Sequence, residues 1–394
     1  MSIKGWQPIG KAGVTGYWFA TVCETYRRQL WSTHQARQAR LGRDVCLIAQ
    51  LRYPATHCSP HNGDPVSDQS LRIGTRKSAM ALAQTDEVAR LLRAANPGLD
   101  VEIVRFETRG DEDQISKLLR HGGKGGAFVA EIRAAMHAGE LQAAMHSLKD
   151  VPGNEETPGL IIAATLPRDA ANDSLVLRPG LSLETFKAAR GKGFKIGTNA
   201  VRRAAYLRRL FPEVIIIHYR GAADTRIAKL DRGDMQRLPG GGEVGPADAL
   251  VMARSGLERI GMTSRIAHDF SVREMLPSVG QGIVAVECVE KDWRTRGYLS
   301  KSEDASSRLC AEAEREVLWV LNGHCNSPIA GHATISGGDM TLTAAVLDET
   351  GDRFFEASRT AAANRPRELG RAVGLELLDK GAAEIIAGNR PDDH

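Results

Sequence analysis

The sequence predicts an α/β protein with two lobes, followed by a small C-terminal α+β domain. Three observations carry this reading. Apolar strand patterns and amphipathic helix patterns alternate twice along residues 71–282. Glycine- and proline-bearing turns stand at the joints of that alternation. From residue 301 the order changes to a helix, two strands and a helix. The expected divisions are 1–70, a poorly ordered N-terminal extension; 71–168 with 283–300, the first lobe; 169–282, the second lobe; and 301–394, the C-terminal domain.

The elements follow in order. LRIGT at 71–75 is a strand, and Ser78 can cap a helix running to about Ala95, with Leu82, Val88, Leu91 and Leu92 on its apolar face. The turn Asn96-Pro97-Gly98 stops it, and VEIVRF at 101–106 closes a βαβ unit. A helical stretch near 127–138 precedes LQAAMHSL, which runs into the turn HSLKDVP at 146–152; IIAATL is a further strand. The second set comprises FKIGT, a helix over about 199–210, the strand VIIIHYRG, a helix carrying Arg226 and Leu230, the loop LPGGGEVGP, the strand ALVMA and a helix through Leu257. Such alternation predicts parallel sheets, with the apolar run at 214–217 a buried strand. In the last domain, residues 306–321 read as a helix, GHATIS and MTLTAAVLD as antiparallel strands, and 366–387 as one helix with proline in its first turn. Two lobes of this kind hold ligands in the crevice beyond the carboxyl ends of their strands.

Composition narrows the function classes. Apolar residues make up 42% and charged residues 25% of the 394, with a formal charge of +4, as in ordinary soluble proteins. Residues 1–70 contain eight Lys/Arg and four Asp/Glu, so that segment carries the whole excess and the body is neutral. A neutral body argues against nucleic-acid binding. No apolar run reaches the length of a membrane span. The opening residues lack a secretory pattern, which points to the cytoplasm, although an Arg-rich, acid-poor start also has the character of an organelle transit segment. The six cysteines, Cys23, Cys46, Cys58, Cys288, Cys310 and Cys325, match neither a zinc site nor a disulfide scaffold and read as reduced thiols.

Arginine is the strongest chemical signal. Arg76, Arg202, Arg203, Arg220 and Arg226 all fall at strand ends or helix starts, where guanidinium forks can grip carboxylates. Helix N-termini at Ser78 and Asn199 add anion-binding amides. The glycine runs TRGD (108–111), GGKGG (122–126) and VGQG (279–282) match no nucleotide fingerprint and read as turns or a flexible loop. Cys288 and Cys310 lie in apolar patterns and read as core, whereas Cys325 lies in the loop NGHCNSP, where a thiol can be structural, nucleophilic or the carrier of a covalent group. Asp150 ends an apolar run beside Lys149. It is either a turn-forming residue or a partly desolvated carboxylate fit for acid–base work.

Taken in order, LRIGTRKS, TRGD, GGKGG, HSLKDVP, IGTNAVRR, RGAADTRI, SGLERIG, PSVGQGIVAVEC and NGHCNSPIAGHA resemble the porphobilinogen deaminase (hydroxymethylbilane synthase) family, from about Leu71 to Ile386. The resemblance implies two periplasmic-binding-protein-like lobes and a small C-terminal domain. It also implies a monomeric cytoplasmic transferase of tetrapyrrole biosynthesis. Such an enzyme joins porphobilinogen units, with loss of ammonia, on a covalent dipyrromethane primer and needs neither metal nor nucleic acid. By the same resemblance Cys325 anchors the dipyrromethane. Asp150 is catalytic, assisting loss of the amino group and stabilising the azafulvene cation of the substrate. Ser78, Lys149, Asp150, Thr198, Arg202, Arg203 and Arg220 hold the cofactor, and Arg76, Arg220, Arg226 and Arg259 hold the substrate and growing chain. The chain departs from the family pattern at Asn199 and Ala200, where serines are usual. It departs again at Ala222, in place of asparagine, at Ala170-Ala171-Asn172-Asp173, where an arginine is missing, and in an inserted loop near 235–246. Each lost hydrogen bond weakens cofactor binding by about 1 kcal/mol. The alternative reading is a catalytically weakened anion- or pyrrole-binding protein of the same fold.

Overall fold

The computed structural model describes residues 70–106, 129–237, 242–323 and 327–388. The N-terminal extension, TRGD, GGKGG, the tip of the inserted loop and Cys325 with its two neighbours lie outside the described residues.

The first sheet contains β1 (Ser70–Arg76), β2 (Asp100–Phe106), β3 (Ala143–Ser147), β4 (Leu160–Thr165) and β12 (Val284–Val289) in the order β2-β1-β3-β12-β4. The second contains β5 (Asp173–Leu177), β6 (Lys195–Gly197), β7 (Ile215–Ile217), β10 (Ala249–Ala253) and β11 (Ile266–Asp269) in the order β11-β5-β10-β6-β7. The two orders are the same pattern. Each sheet has three parallel strands in the order second, first, third. Each then receives an antiparallel strand from a distant part of the chain, and a fourth strand lies beyond it. In the first sheet the incoming strand is β12; in the second it is β5. The chain thus crosses between lobes twice, at 166–172 and at 270–283. This is the periplasmic-binding-protein-like arrangement. The expectation of parallel sheets is corrected: both are mixed, because β5 and β12 run against their neighbours.

The helices follow from local sequence. In α1 (Ala79–Ala95) Ser78 accepts a hydrogen bond from the Ala81 amide at 3.3 Å, a cap that contributes about 1 kcal/mol. Ala81, Val88, Ala89 and Leu92 pack on β1–β3. The other helices of the lobes are α2 (Ala130–His137), α3 (Leu183–Ala188), α4 (Val201–Leu210), α5 (Ala223–Arg232), α6 (Arg254–Arg259) and α7 (Trp293–Ser300). The strand predicted from VIIIHYRG shortens to β7, at a sheet edge, with Ile215 47% exposed. It is therefore not a buried strand. The loop predicted at LPGGGEVGP is corrected in its second half: Glu243–Gly245 is a short strand, β9, paired antiparallel with β8 (Gln236–Arg237).

The C-terminal domain has α8 (Ala305–Val320), then β13 (Ile329–Ser336), β14 (Asp339–Leu347) and β15 (Phe354–Ala362) as one antiparallel sheet. Two helices follow, α9 (Pro366–Asp379) and α10 (Ala382–Gly388). The helix expected over 366–387 is interrupted because Gly381 takes φ +97°, a conformation that ends a helix. The third strand, β15, was not anticipated. α8 starts at Ala305, one residue early, because Asp304 caps it on the Ser307 amide at 2.7 Å. Among the described residues no helix is long and apolar enough to cross a membrane.

Candidate active site

The first lobe contributes the end of β3. After Ser147 the chain enters a 3₁₀ turn, Leu148–Asp150. Leu148 is buried and its amide donates to the Ile283 carbonyl at 2.9 Å. That anchor leaves Lys149 half-buried and Asp150 exposed. The expected partial desolvation of Asp150 is corrected: Leu148 enters the core, and Asp150, two positions on, stands outside it. Burial pulls the Lys149 amine down to about 8; Arg203 and Arg202 push the same way, while Asp150 and Asp173 oppose them. The charges that the Lys149 amine senses thus include groups of the second lobe.

Those groups gather around Asp173, the first residue of β5, which is fully buried. Arg202 donates to one carboxylate oxygen at 2.6 Å. Arg203 donates to the other through Nε at 3.1 Å and Nη2 at 2.8 Å, and the Gln281 amide donates to that oxygen at 2.9 Å. Burial disfavours the Asp173 charge, but the two guanidiniums outweigh it and hold the carboxyl far below the usual range. Arg202 also donates to the Leu276 carbonyl at 2.8 Å, and Arg203 to the Val251 carbonyl at 3.3 Å. Both arginines, expected to grip a ligand directly, are 4% and 8% exposed and already share a protein carboxylate.

Arg226 is different. Its Nε donates to the Gly221 carbonyl at 2.7 Å. Burial and, after it, Arg203 lower its pKa to about 10, against a smaller opposing influence from Tyr219. The nearby charges are therefore Lys149, Arg202, Arg203 and Arg226 against Asp150 and Asp173. Among these described groups the cations outnumber the carboxylates, and a ligand bearing several carboxylates complements that excess.

The remaining predicted residues are more dispersed. Ser78 is committed as the α1 cap, with its hydroxyl proton left to donate. Thr198 is buried and accepts from the Ala200 amide at 3.2 Å. Asn199 accepts from the Tyr219 amide at 2.7 Å and so stitches the β6–α4 loop to the β7–α5 loop. Neither Ala200 nor Ala222 caps the helix it precedes. Arg76 and Arg220 are half-buried at the ends of β1 and β7. Arg259 stands apart from the cluster: it donates to Asp169 of the first crossing and lies 3.9 Å from Glu87 of α1. Cys288 and Cys310 are buried, as expected, and burial lifts their thiols to about 12 and about 11. Sequence reasoning missed Asp173 as the organising carboxylate and Gln281 as its partner. The signal for Gln281 was its place in VGQG, which was read as a glycine run alone.

Two family models match the chain: "Porphobilinogen deaminase, dipyromethane cofactor binding domain" over residues 71–297 and "Porphobilinogen deaminase, C-terminal domain" over 308–379. A porphobilinogen deaminase of Xanthomonas axonopodis pv. citri is 39% identical over 318 residues, covering 81% of this chain and 99% of its own. Porphobilinogen deaminase 2 of Streptomyces coelicolor is 40% identical over 320 residues, covering 81% and 96%. The porphobilinogen deaminase of Xylella fastidiosa is 39% identical over 317 residues, covering 80% and 98%. With two family models covering most of residues 71–379 and relatives matched along nearly their whole length, this chain belongs to the porphobilinogen deaminase family.

Proposed function

We propose that the chain is a hydroxymethylbilane synthase, a transferase that condenses porphobilinogen units, with release of ammonia, into a linear tetrapyrrole. The observation that carries this reading is the meeting of the Lys149–Asp150 turn with a cationic cluster that its own carboxylates leave uncompensated. Each pyrrole unit brings an acetate and a propionate, so substrate, primer and product are all polycarboxylates.

The residues divide the work by chemistry. Arg226, with Arg76 at the end of β1 in the first lobe and Arg220 just beyond β7 in the second, binds carboxylates of the substrate and the growing chain. Arg202, Arg203, Lys149, Ser78 and Thr198 hold the primer, the two arginines acting chiefly through the field of a guanidinium pair that Asp173 only half neutralises. Arg259, at the end of α6 and bonded to Asp169 of the first crossing, meets the longer chain. Asp150 stands exposed, so its carboxylate accepts pyrrole N–H donors while the protonated amino group of porphobilinogen departs as ammonia. Its carboxylate then pairs with the cation left on that substrate. Held through Cys325, a dipyrromethane would supply the pyrrole carbon to which the first unit is joined. Cys288 and Cys310 are buried and free, which fits a reducing setting; by the family resemblance the enzyme works as a monomer in the cytoplasm.

Intact-protein mass spectrometry with peptide mapping of the Cys325 loop tests the reading. The expected result is a covalent adduct of two linked pyrroles on Cys325. A bare thiol that persists after incubation with porphobilinogen would refute it and leave a carboxylate-binding protein.

A further inference from the structure

The turn that presents Asp150 belongs to the first lobe, yet it is held from the C-terminal domain. Three residues on one face of α8 and its exit do this. Arg315 donates to the Val151 carbonyl at 3.1 Å and to the Pro152 carbonyl at 2.8 Å. Leu318 lies against Gly153, where an added Cβ would come within 2.6 Å of Leu318 Cδ1. Asn322, just past the helix in a left-handed conformation (φ 50°), accepts from the Asn154 amide at 3.2 Å. The spacing 315, 318, 322 follows one stripe of a helix, and it meets four consecutive residues, 151–154, directly after Asp150. Val151 itself is buried and closes the 3₁₀ turn by donating to the Leu148 carbonyl at 3.1 Å. A crevice of about 630 Å³ opens beside this seam, lined in part by Val151, Gly153, Arg315 and Trp319, and it contains none of the charged cluster.

We propose that Arg315 is a positioning residue for the reaction. Its planar fork satisfies two successive carbonyls and so sets the height and direction of the turn that carries Asp150. A guanidinium suits this role because two parallel donors on a rigid plane fix orientation as well as distance. A lysine would reach one carbonyl and leave the other free to rotate. The proposal rests on the reading of Asp150 given above.

The test is a double-mutant cycle on the full chain, with primer occupancy measured by intact mass so that loaded protein is compared with loaded protein. Arg315→Ala is expected to lower kcat by about 10- to 100-fold, as a displacement near 1 Å does, with KM within about threefold of the parent. In an Asp150→Asn background the same substitution should add nothing, because its effect runs through Asp150. Arg315→Lys should recover part of the loss. Losses that add, or a loaded Arg315→Ala whose kcat stays within about twofold of the parent, would overturn the proposal. If Arg315→Ala fails to load primer, Gly153→Ala pushes the same turn from Leu318, and Leu318→Ala should relieve it. A kcat that Gly153→Ala leaves unchanged, or a loss that Leu318→Ala does not relieve, overturns it equally. Full activity of Asp150→Asn alone overturns the assignment of Asp150 and this inference with it, a signature distinct from failure of the inference alone.

Discussion

Replacing Asp173 by Asn removes one negative charge from beneath two buried guanidiniums. Asp173 accepts four hydrogen bonds, from Arg202, twice from Arg203 and from Gln281. An asparagine can keep one acceptor oxygen, but its amide then points N–H groups at whichever arginine it faces. Removing one partner of a buried ion pair costs about 3–5 kcal/mol, mostly from the charge left behind. At about 2–4 °C per kcal/mol, the melting temperature should fall by roughly 6–20 °C. The sign of the pH dependence follows from the depressed native pKa. The stability that Asp173 contributes is fully present above its unfolded value near 3.9 and drains away as pH falls toward the native value. Thermal and urea melts of parent and Asp173→Asn should therefore differ most near neutrality and converge in acid. A difference below about 1 kcal/mol at pH 7, or a gap that does not narrow below pH 4, would refute the view that one carboxylate holds both arginines in place.

Arg226→Met should leave stability equal or slightly raised, because the cation is desolvated and, among the described residues, no carboxylate offsets that burial, while KM for porphobilinogen rises about tenfold or more; steady-state kinetics beside a melt separates the two. The Lys149 amine, at about 8, should lose its charge as pH rises through that value, so kcat/KM should fall on the alkaline side, and Lys149→Arg should move that limb out of range. Gly282→Ala should destabilise by about 1–3 kcal/mol, since Gly282 has φ +89° and a Cβ would sit 2.5 Å from the Asp169 carbonyl oxygen across the paired crossings. Denaturant melts report it directly.

The site was partly legible because its chemistry is local in sequence. The Lys149–Asp150 pair follows an apolar strand, and the arginines recur at strand ends, so their placement beyond the sheet followed from position alone. What Arg202 and Arg203 do there was not legible. Their carboxylate partner lies some thirty residues upstream in a strand, β5, that begins Asp-Ser and reads poorly as a strand at all. Those two residues are tolerated in a fully buried strand only because Arg202, Arg203, Gln281 and Asp269 satisfy them. β12 likewise carries a buried carboxylate, Glu287, only 2% exposed, which the Arg133 fork neutralises at 2.8 and 2.9 Å.

By itself the sequence determined most of the longer helices, the Ser78 cap, the two α/β lobes and the separate terminal domain, because periodicity, capping and turn chemistry act over a few residues. Only the tertiary structure decided that each lobe takes one antiparallel strand from beyond a crossing, that Asp173 sets the state of the arginines, and that α8 seats the turn of Asp150. Each of these depends on groups dozens to more than a hundred residues apart meeting in a buried, low-dielectric setting. There a charge survives only beside the partner that the fold brings to it.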